Sequence, residues 1–260
     1  MKARVVSLLL FLGLLSACQS TQENSVAAAP TLLNDSLFSS HHLFPVESID
    51  DIFFLGEDAR IFAENAVYEK SITGKNVKGL VKAIFDHSDY GVLYRNSANT
   101  TADSTFNNRA ANCLSLSIMT YALAEHVGLT ATFYEVDIPE YWTRREGYSL
   151  LNGHINMRIS IPEANHVTSI GRSWADVDFD PQMLRNYFPR KPVSKNKIVS
   201  MYYNNKGADA LVANRYTRAY SYFRAAATLS PELQLHVPAH SDHPFRFNPI
   251  TDFGLIRSPI

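Results

Sequence analysis

Between Asn112 and Asp180 the apolar residues change from a helical to an alternating period, and this restricts the fold more than any other feature. Asn112 to Val127 places Leu116, Met119, Leu123 and Val127 on one face and is apolar enough to be a buried helix. Gly128 stands where a left-handed C-terminal cap is expected. Thr130 to Val136 reads as a strand. His154 to Ile161 alternates, with Ile155, Met157, Ile159 and Ile161 on one face and His154, Asn156 and Arg158 on the other, which is the pattern of a half-buried strand. Trp174 to Asp180 alternates as well, so Trp174, Asp176, Asp178 and Asp180 share a face. A helix followed by three such strands predicts an α+β fold in which an antiparallel sheet packs on the Cys113 helix.

The flanking segments are less patterned. Leu32 to Leu55 is apolar without clear periodicity. Residues 58 to 68 read as a helix, with Phe62, Ala63, Ala66 and Val67 on one face. Asn76 opens another helix, with Val77, Leu80, Val81, Ile84 and Phe85 as its stripe. Tyr90 to Tyr94 reads as extended, and Asn96 to Phe106 as a polar loop. With 46% hydrophobic and 19% charged residues the chain can bury a core, which excludes general disorder. The 24 basic and 25 acidic residues leave no cationic surplus for binding nucleic acid through bulk charge.

The first residues read as an address. Lys2 and Arg4 precede an apolar run from Val5 to Leu15, too short to span a bilayer but suited to a signal peptide. Leu15-Ser16-Ala17-Cys18 resembles the lipobox of bacterial lipoproteins. The resemblance implies cleavage after residue 17 and lipidation of Cys18. Each buried CH₂ of such a lipid stabilises attachment by roughly 0.8 kcal/mol. Gln19 follows the cysteine, and in such lipoproteins the absence of Asp there points to the periplasmic face of the outer membrane. Residues 18–31 then read as the lipidated cysteine and a polar tether.

With Cys18 lipidated, Cys113 is the remaining thiol of a two-cysteine chain. At a helix start, the backbone amides favour a thiolate. A neighbouring imidazole would make it a useful nucleophile. His154 opens a strand after Gly153, and Asp178 lies on the next strand, where adjacent antiparallel strands bring side chains together. An acid so placed holds an imidazole in the required tautomer. Each residue also has a plainer reading: a small core cysteine, a satisfied sheet histidine, a solvated strand carboxylate.

Arg109-Ala110-Ala111-Asn112-Cys113, Gly128-Leu129-Thr130-Ala131, Gly153-His154-Ile155-Asn156-Met157 and Trp174-Ala175-Asp176-Val177-Asp178 together resemble the transglutaminase-like, papain-like cysteine-enzyme core. The resemblance spans roughly residues 75 to 185. It implies Cys113 as nucleophile, His154 as base and Asp178 as orienting acid. Asp180, which precedes Pro181, is a rival for the third role, and Asp176 a weaker one. Ala111 departs from the glycine usual two residues before the nucleophile, and no aromatic follows His154. These departures bear on substrate fit.

The expected division is a transglutaminase-like domain over 32–190, a helical hairpin over 197–231 and an irregular tail over 232–260. In the hairpin Gly207, Tyr216, Ala219, Phe223, Ala226 and Pro231 resemble a single tetratricopeptide unit. Pro238, Pro244, Pro249 and Pro259 interrupt any helix in the tail.

No cofactor or metal is predicted. His41-His42 and the tail histidines His236, His240 and His243 lack a convergent set of Cys or acid partners, and the three alternating acids lack the turns and glycine of a calcium loop. The expected function is that of an envelope-anchored cysteine enzyme acting on amide bonds of a protein or peptide substrate, with hydrolysis favoured over transfer to an amine. The alternative is a non-catalytic scaffold lipoprotein whose residues 197–231 hold a protein partner.

Overall fold

The computed structural model of the protein describes residues 33–68, 77–89, 93–95, 97–108, 110–162, 174–180, 188–231 and 257–259. Cys18, the signal and tether segments, and His236, His240 and His243 lie outside these residues. In chain order the elements are α1 (Ile49–Phe53), α2 (Glu57–Tyr68), α3 (Val77–Asp89), β1 (Leu93–Tyr94), α4 (Ala102–Asn108), β2 (Ala110–Ala111) and α5 (Cys113–His126). There follow β3 (Thr130–Arg145), β4 (Tyr148–Ser160), β5 (Trp174–Val177), β6 (Arg190–Val193), α6 (Lys195–Val212), α7 (Tyr216–Leu229) and β7 (Arg257–Pro259).

Helix α5 is buried on nearly every side: from Cys113 to Ala124 only Tyr121 is even partly exposed. It packs on β3 and β4 of the sheet, on α2 and α4, and on α6. The helix ends as its sequence predicts. Gly128 has φ 68°, its N–H donates to the Glu125 carbonyl, and the Leu129 N–H donates to the Ala124 carbonyl. This pair of bonds satisfies two of the last carbonyls at an end that emerges to the surface, where Glu125, His126 and Gly128 are exposed.

The sheet has the order β5-β4-β3-β6, all antiparallel, and β7 adds in parallel to β4. The α+β reading therefore holds, with an antiparallel sheet against the Cys113 helix. Phe133, Met157 and Val177 stand in register on the face that enters the core, beside Ile155 and Ile159. Tyr134, His154, Asn156, Arg158 and Asp176 line the opposite face.

Several boundaries differ from the sequence reading. Strand β3 does not stop at Val136 but continues to Arg145. Asp137, Ile138, Pro139 and Glu140 break the alternation because they form a bulge: between the pairs Val136–His154 and Tyr141–Asn152, four residues of β3 face Gly153 alone. Proline suits such a position because it has no N–H to lose from the ladder. Beyond the bulge the hairpin closes through Glu146 and Gly147, with φ 48° and 84°, the mirror-image turn that matches strand twist. Strand β4 accordingly begins at Tyr148, ahead of His154.

Part of the segment expected to be loop is helix α4. Thr101 Oγ1 accepts from the Ser104 N–H, and burial of Ala102 and Thr105 holds so short a helix in place. Strand β5 stops at Val177 because Asp178 turns its carboxylate back onto the Asp180 N–H, at 3.0 Å. Beyond Pro231 the tail, expected to be irregular, is described over β7, which pairs with Leu151–Gly153.

Helices α6 and α7 form the expected hairpin and share the main core: Ile198, Val199, Met201, Tyr202, Tyr222 and Ala226 belong to the same buried cluster as Ile155 and Met157. Asn214, with φ 57°, caps α6 as Gly128 caps α5. The N-terminal segment, without clear periodicity in sequence, straps across the hairpin. Tyr203 Oη donates to the Glu47 carbonyl at 2.6 Å, Tyr220 Oη to Asp35 at 2.7 Å and Ser221 Oγ to the His41 carbonyl at 2.8 Å. The aromatic rings thus bury while their hydroxyls find acceptors.

The hairpin depends on a close approach at Gly207, where an added Cβ would lie 2.6 Å from the Phe223 ring. Gly207→Leu is expected to lose about 1–3 kcal/mol in denaturant unfolding through overpacking. The same change in a Phe223→Ala background is expected to cost less, because the ring it strikes is gone.

Candidate functional site

The nucleophile candidate is placed by the segment before it. Ala110 and Ala111 pair in parallel with Leu93 and Tyr94, and Ala111 is fully buried. A residue held in strand geometry does not need glycine's freedom, so the alanine at 111 is locally accommodated. Asn112 then caps α5, its Oδ1 accepting from the Ser115 N–H at 2.9 Å.

That cap belongs to a longer chain of bonds. Asn112 Nδ2 donates to Asn99 Oδ1 at 2.7 Å, and Asn99 Nδ2 donates to Asp209 Oδ2 at 2.6 Å. Arg145 Nη2 reaches the other Asp209 oxygen at 2.5 Å. Burial pushes the Asp209 carboxyl up, and the bonds from Asn99 and Arg145 only partly offset it. The helix start is therefore tied to α6 and to the end of β3. Cys113 itself is buried, at 0% exposure, and forms no disulfide.

His154 and Asp178 meet directly. His154 Nε2 lies 2.8 Å from Asp178 Oδ2, and the side chains are 1% and 10% exposed. The sheet dictates this: Met157 pairs with Val177, so Asn156 stands opposite Asp178 and His154 lies diagonally next to it on the same face. Asp178 also accepts from Asn156 Nδ2 at 3.4 Å and from the Asp180 N–H. Asp180 thus contributes its backbone to Asp178, whereas His154 bonds to Asp178.

In a neutral ring that donates its Nε2 proton to the carboxylate, Nδ1 carries the lone pair. That Nδ1 is buried and has no hydrogen-bond partner among the described residues. The ring is thus oriented by one nitrogen and left with a basic nitrogen to spare. It sits on β4, but on the face opposite the Ile155, Met157 and Ile159 face that packs in the core with α5, and no hydrogen bond joins its Nδ1 to Cys113.

Asp176, the weaker rival, belongs to a different group. It accepts from Arg158 through both oxygens, at 2.8 and 3.0 Å, and from Arg190 at 2.9 Å. Arg190 also donates to Asn156 Oδ1 at 3.1 Å and stacks over the Tyr134 ring. Burial works against the Asp176 charge, but the two arginines outweigh it and hold its carboxyl below the usual range.

Sequence reasoning missed Asn156 and Arg190 as supports. Asn156 was legible as the next residue on the polar face of β4. Arg190 had no local signal, since β6 is only four residues long.

Among the described residues no three or more His, Cys, Asp or Glu side chains gather as a metal site, and no helix is long and apolar enough to cross a membrane. His41 instead packs edge-on against Tyr220, and His42 against His41.

Because the folded Asp176 titrates below its unfolded value near 3.8, its contribution to stability is present above that value and is lost as pH falls through the folded one. Asp176→Asn is expected to flatten the acid limb of a urea-midpoint profile between about pH 5 and pH 2.

No protein-family model matches the chain, and neither a curated protein nor a solved structure matches it.

Proposed function

We propose that the protein is a transglutaminase-like cysteine enzyme that hydrolyses amide bonds of a protein or peptide substrate in the bacterial cell envelope. It would be anchored there through lipidated Cys18. The observation that carries the reading is the buried His154 ring, fixed by Asp178 through Nε2 at 2.8 Å; its Nδ1 makes no hydrogen bond to Cys113, so the reaction requires the two to be brought together when substrate binds.

In this mechanism Nδ1 of His154 takes the proton from Cys113 Sγ, and the sulfur attacks the substrate carbonyl carbon. The tetrahedral oxyanion lies at the N-terminus of α5, where the Cys113 N–H donates to it. Collapse breaks the C–N bond, and the imidazolium returns its proton to the leaving amine. Nδ1 then takes a proton from water, whose oxygen attacks the thioester. The carboxylic acid departs and Cys113 regains its proton. Asp178 keeps the ring oriented and stabilises the imidazolium. No metal or cofactor enters.

The complete burial of Cys113 favours a second reading, in which the thiol is structural and the chain is a scaffold lipoprotein that binds a partner through its hairpin. Under that reading Cys113 would be inert. On the hairpin, the N-terminal strap already occupies Tyr203, Tyr220 and Ser221, so a partner would meet the remaining surface.

Cys113→Ala and His154→Ala are expected to abolish hydrolysis of envelope-derived peptide amides, with His154→Ala also lowering the unfolding midpoint because it leaves the buried Asp178 without its partner. Asp178→Asn is expected to lose about 10²–10⁴-fold in kcat. Cys18→Ser should leave kcat unchanged and release the activity from membranes. Undiminished turnover in Cys113→Ala would sink the enzyme reading.

A further inference from the structure

The bulge in β3 opens a cavity of about 340 Å³ beside His154. Its wall includes Gly153 and His154 of β4, Glu135, Asp137 and Glu140 of β3, and Arg190 and Lys191 at the start of β6. A wide bulge forces strands apart and re-aims side chains, which is why such features occur beside sites. The volume falls at the small end of the range for ligand pockets and suits a side chain better than a whole small molecule.

The charges in this wall are not balanced. Lys191 Nζ is 3.0 Å from Glu135 Oε2, so these two neutralise each other. Arg190 is committed to Asp176 and Asn156. Among the described residues Asp137 is held through its backbone, its N–H donating to the Pro189 carbonyl at 2.8 Å. Among the described residues neither the Asp137 nor the Glu140 carboxylate has an ion-pair partner. The same wall holds His154, which is 2% exposed and whose Nδ1 has no hydrogen-bond partner among the described residues.

We propose that this cavity receives the ammonium-bearing side chain of a peptide substrate, which Asp137 and Glu140 recognise while the adjacent amide is presented to His154. The inference deepens the proposed hydrolysis and rests on it for the role of His154. The charge selection itself stands on the cavity alone.

The test is equilibrium binding of fluorescein-labelled five-residue peptides to the full chain carrying Cys113→Ala, so that no turnover intervenes. The central residue is lysine, norleucine or glutamate in an otherwise alanine sequence. A carboxylate pair at a partly exposed site contributes up to about fivefold per charge, so lysine is expected to bind about tenfold more tightly than norleucine, and glutamate more weakly than either. Adding Asp137→Asn and Glu140→Gln should bring lysine to the norleucine affinity. Both residues are exposed, so an unchanged unfolding midpoint is expected and is measured alongside. Equal affinities for lysine and norleucine, a preference that survives the double substitution, or no binding of any peptide would overturn the proposal. Lysine-selective binding together with an inert wild-type thiol would leave the cavity's selectivity standing and overturn the hydrolase reading instead.

Discussion

Burial of helix α5 is the constraint to which the other elements answer. The buried N-terminal end cannot hand its amides to water, and each orphaned amide left buried costs about 1–3 kcal/mol. The C-terminal end emerges at the exposed Glu125 and His126 and is closed by backbone bonds from Gly128 and Leu129. At the N-terminal end the solution is longer: Asn112 caps the helix, Asn99 holds Asn112, and Asp209 with Arg145 holds Asn99. The loop before the helix, the hairpin after the sheet and the end of β3 are therefore coupled to the position of Cys113. Moving any of them disturbs a buried polar chain in which every bond supports the next.

The sheet imposes the second constraint. With Met157 and Val177 in register in the core, alternation leaves His154, Asn156 and Asp178 no choice but to share the other face. The short reach from His154 Nε2 to Asp178 follows from strand pairing, and Asn156 and the Asp180 amide complete the carboxylate's shell. Opposing effects then act on the Cys113 thiol. Burial disfavours the thiolate, whereas the helix N-terminus favours it. The proposed chemistry requires in addition that His154 Nδ1, which has no hydrogen-bond partner among the described residues, reach the sulfur.

How much of this was legible in sequence depends on the range of the physics. Alternation in His154–Ile161 gave the right faces, because side-chain period is local. Gly128 announced its cap, because a left-handed residue has a strong preference. The choice among Asp176, Asp178 and Asp180 could not be settled locally, since it turns on register with β4. The strand reads as ending at Val136, because a proline such as Pro139 fits a bulge and a strand end equally well. Helix α4 was read as loop, because its stability comes from packing on α5 and from the Phe62–Phe106 contact across to α2. The strap over the hairpin and the Asn99–Asp209 bond join residues more than 100 positions apart, and no local pattern carries them.

The central claim is that Cys113 and His154 act as a pair. It is tested most directly by the rate of Cys113 alkylation against pH, on protein lacking residues 1–18, in wild type and in His154→Ala. The account predicts a wild-type rate that rises well below the ~8.5 of an ordinary thiol, and a return toward that value in the variant. A thiol that is unreactive across the range, or whose profile ignores His154, would contradict it.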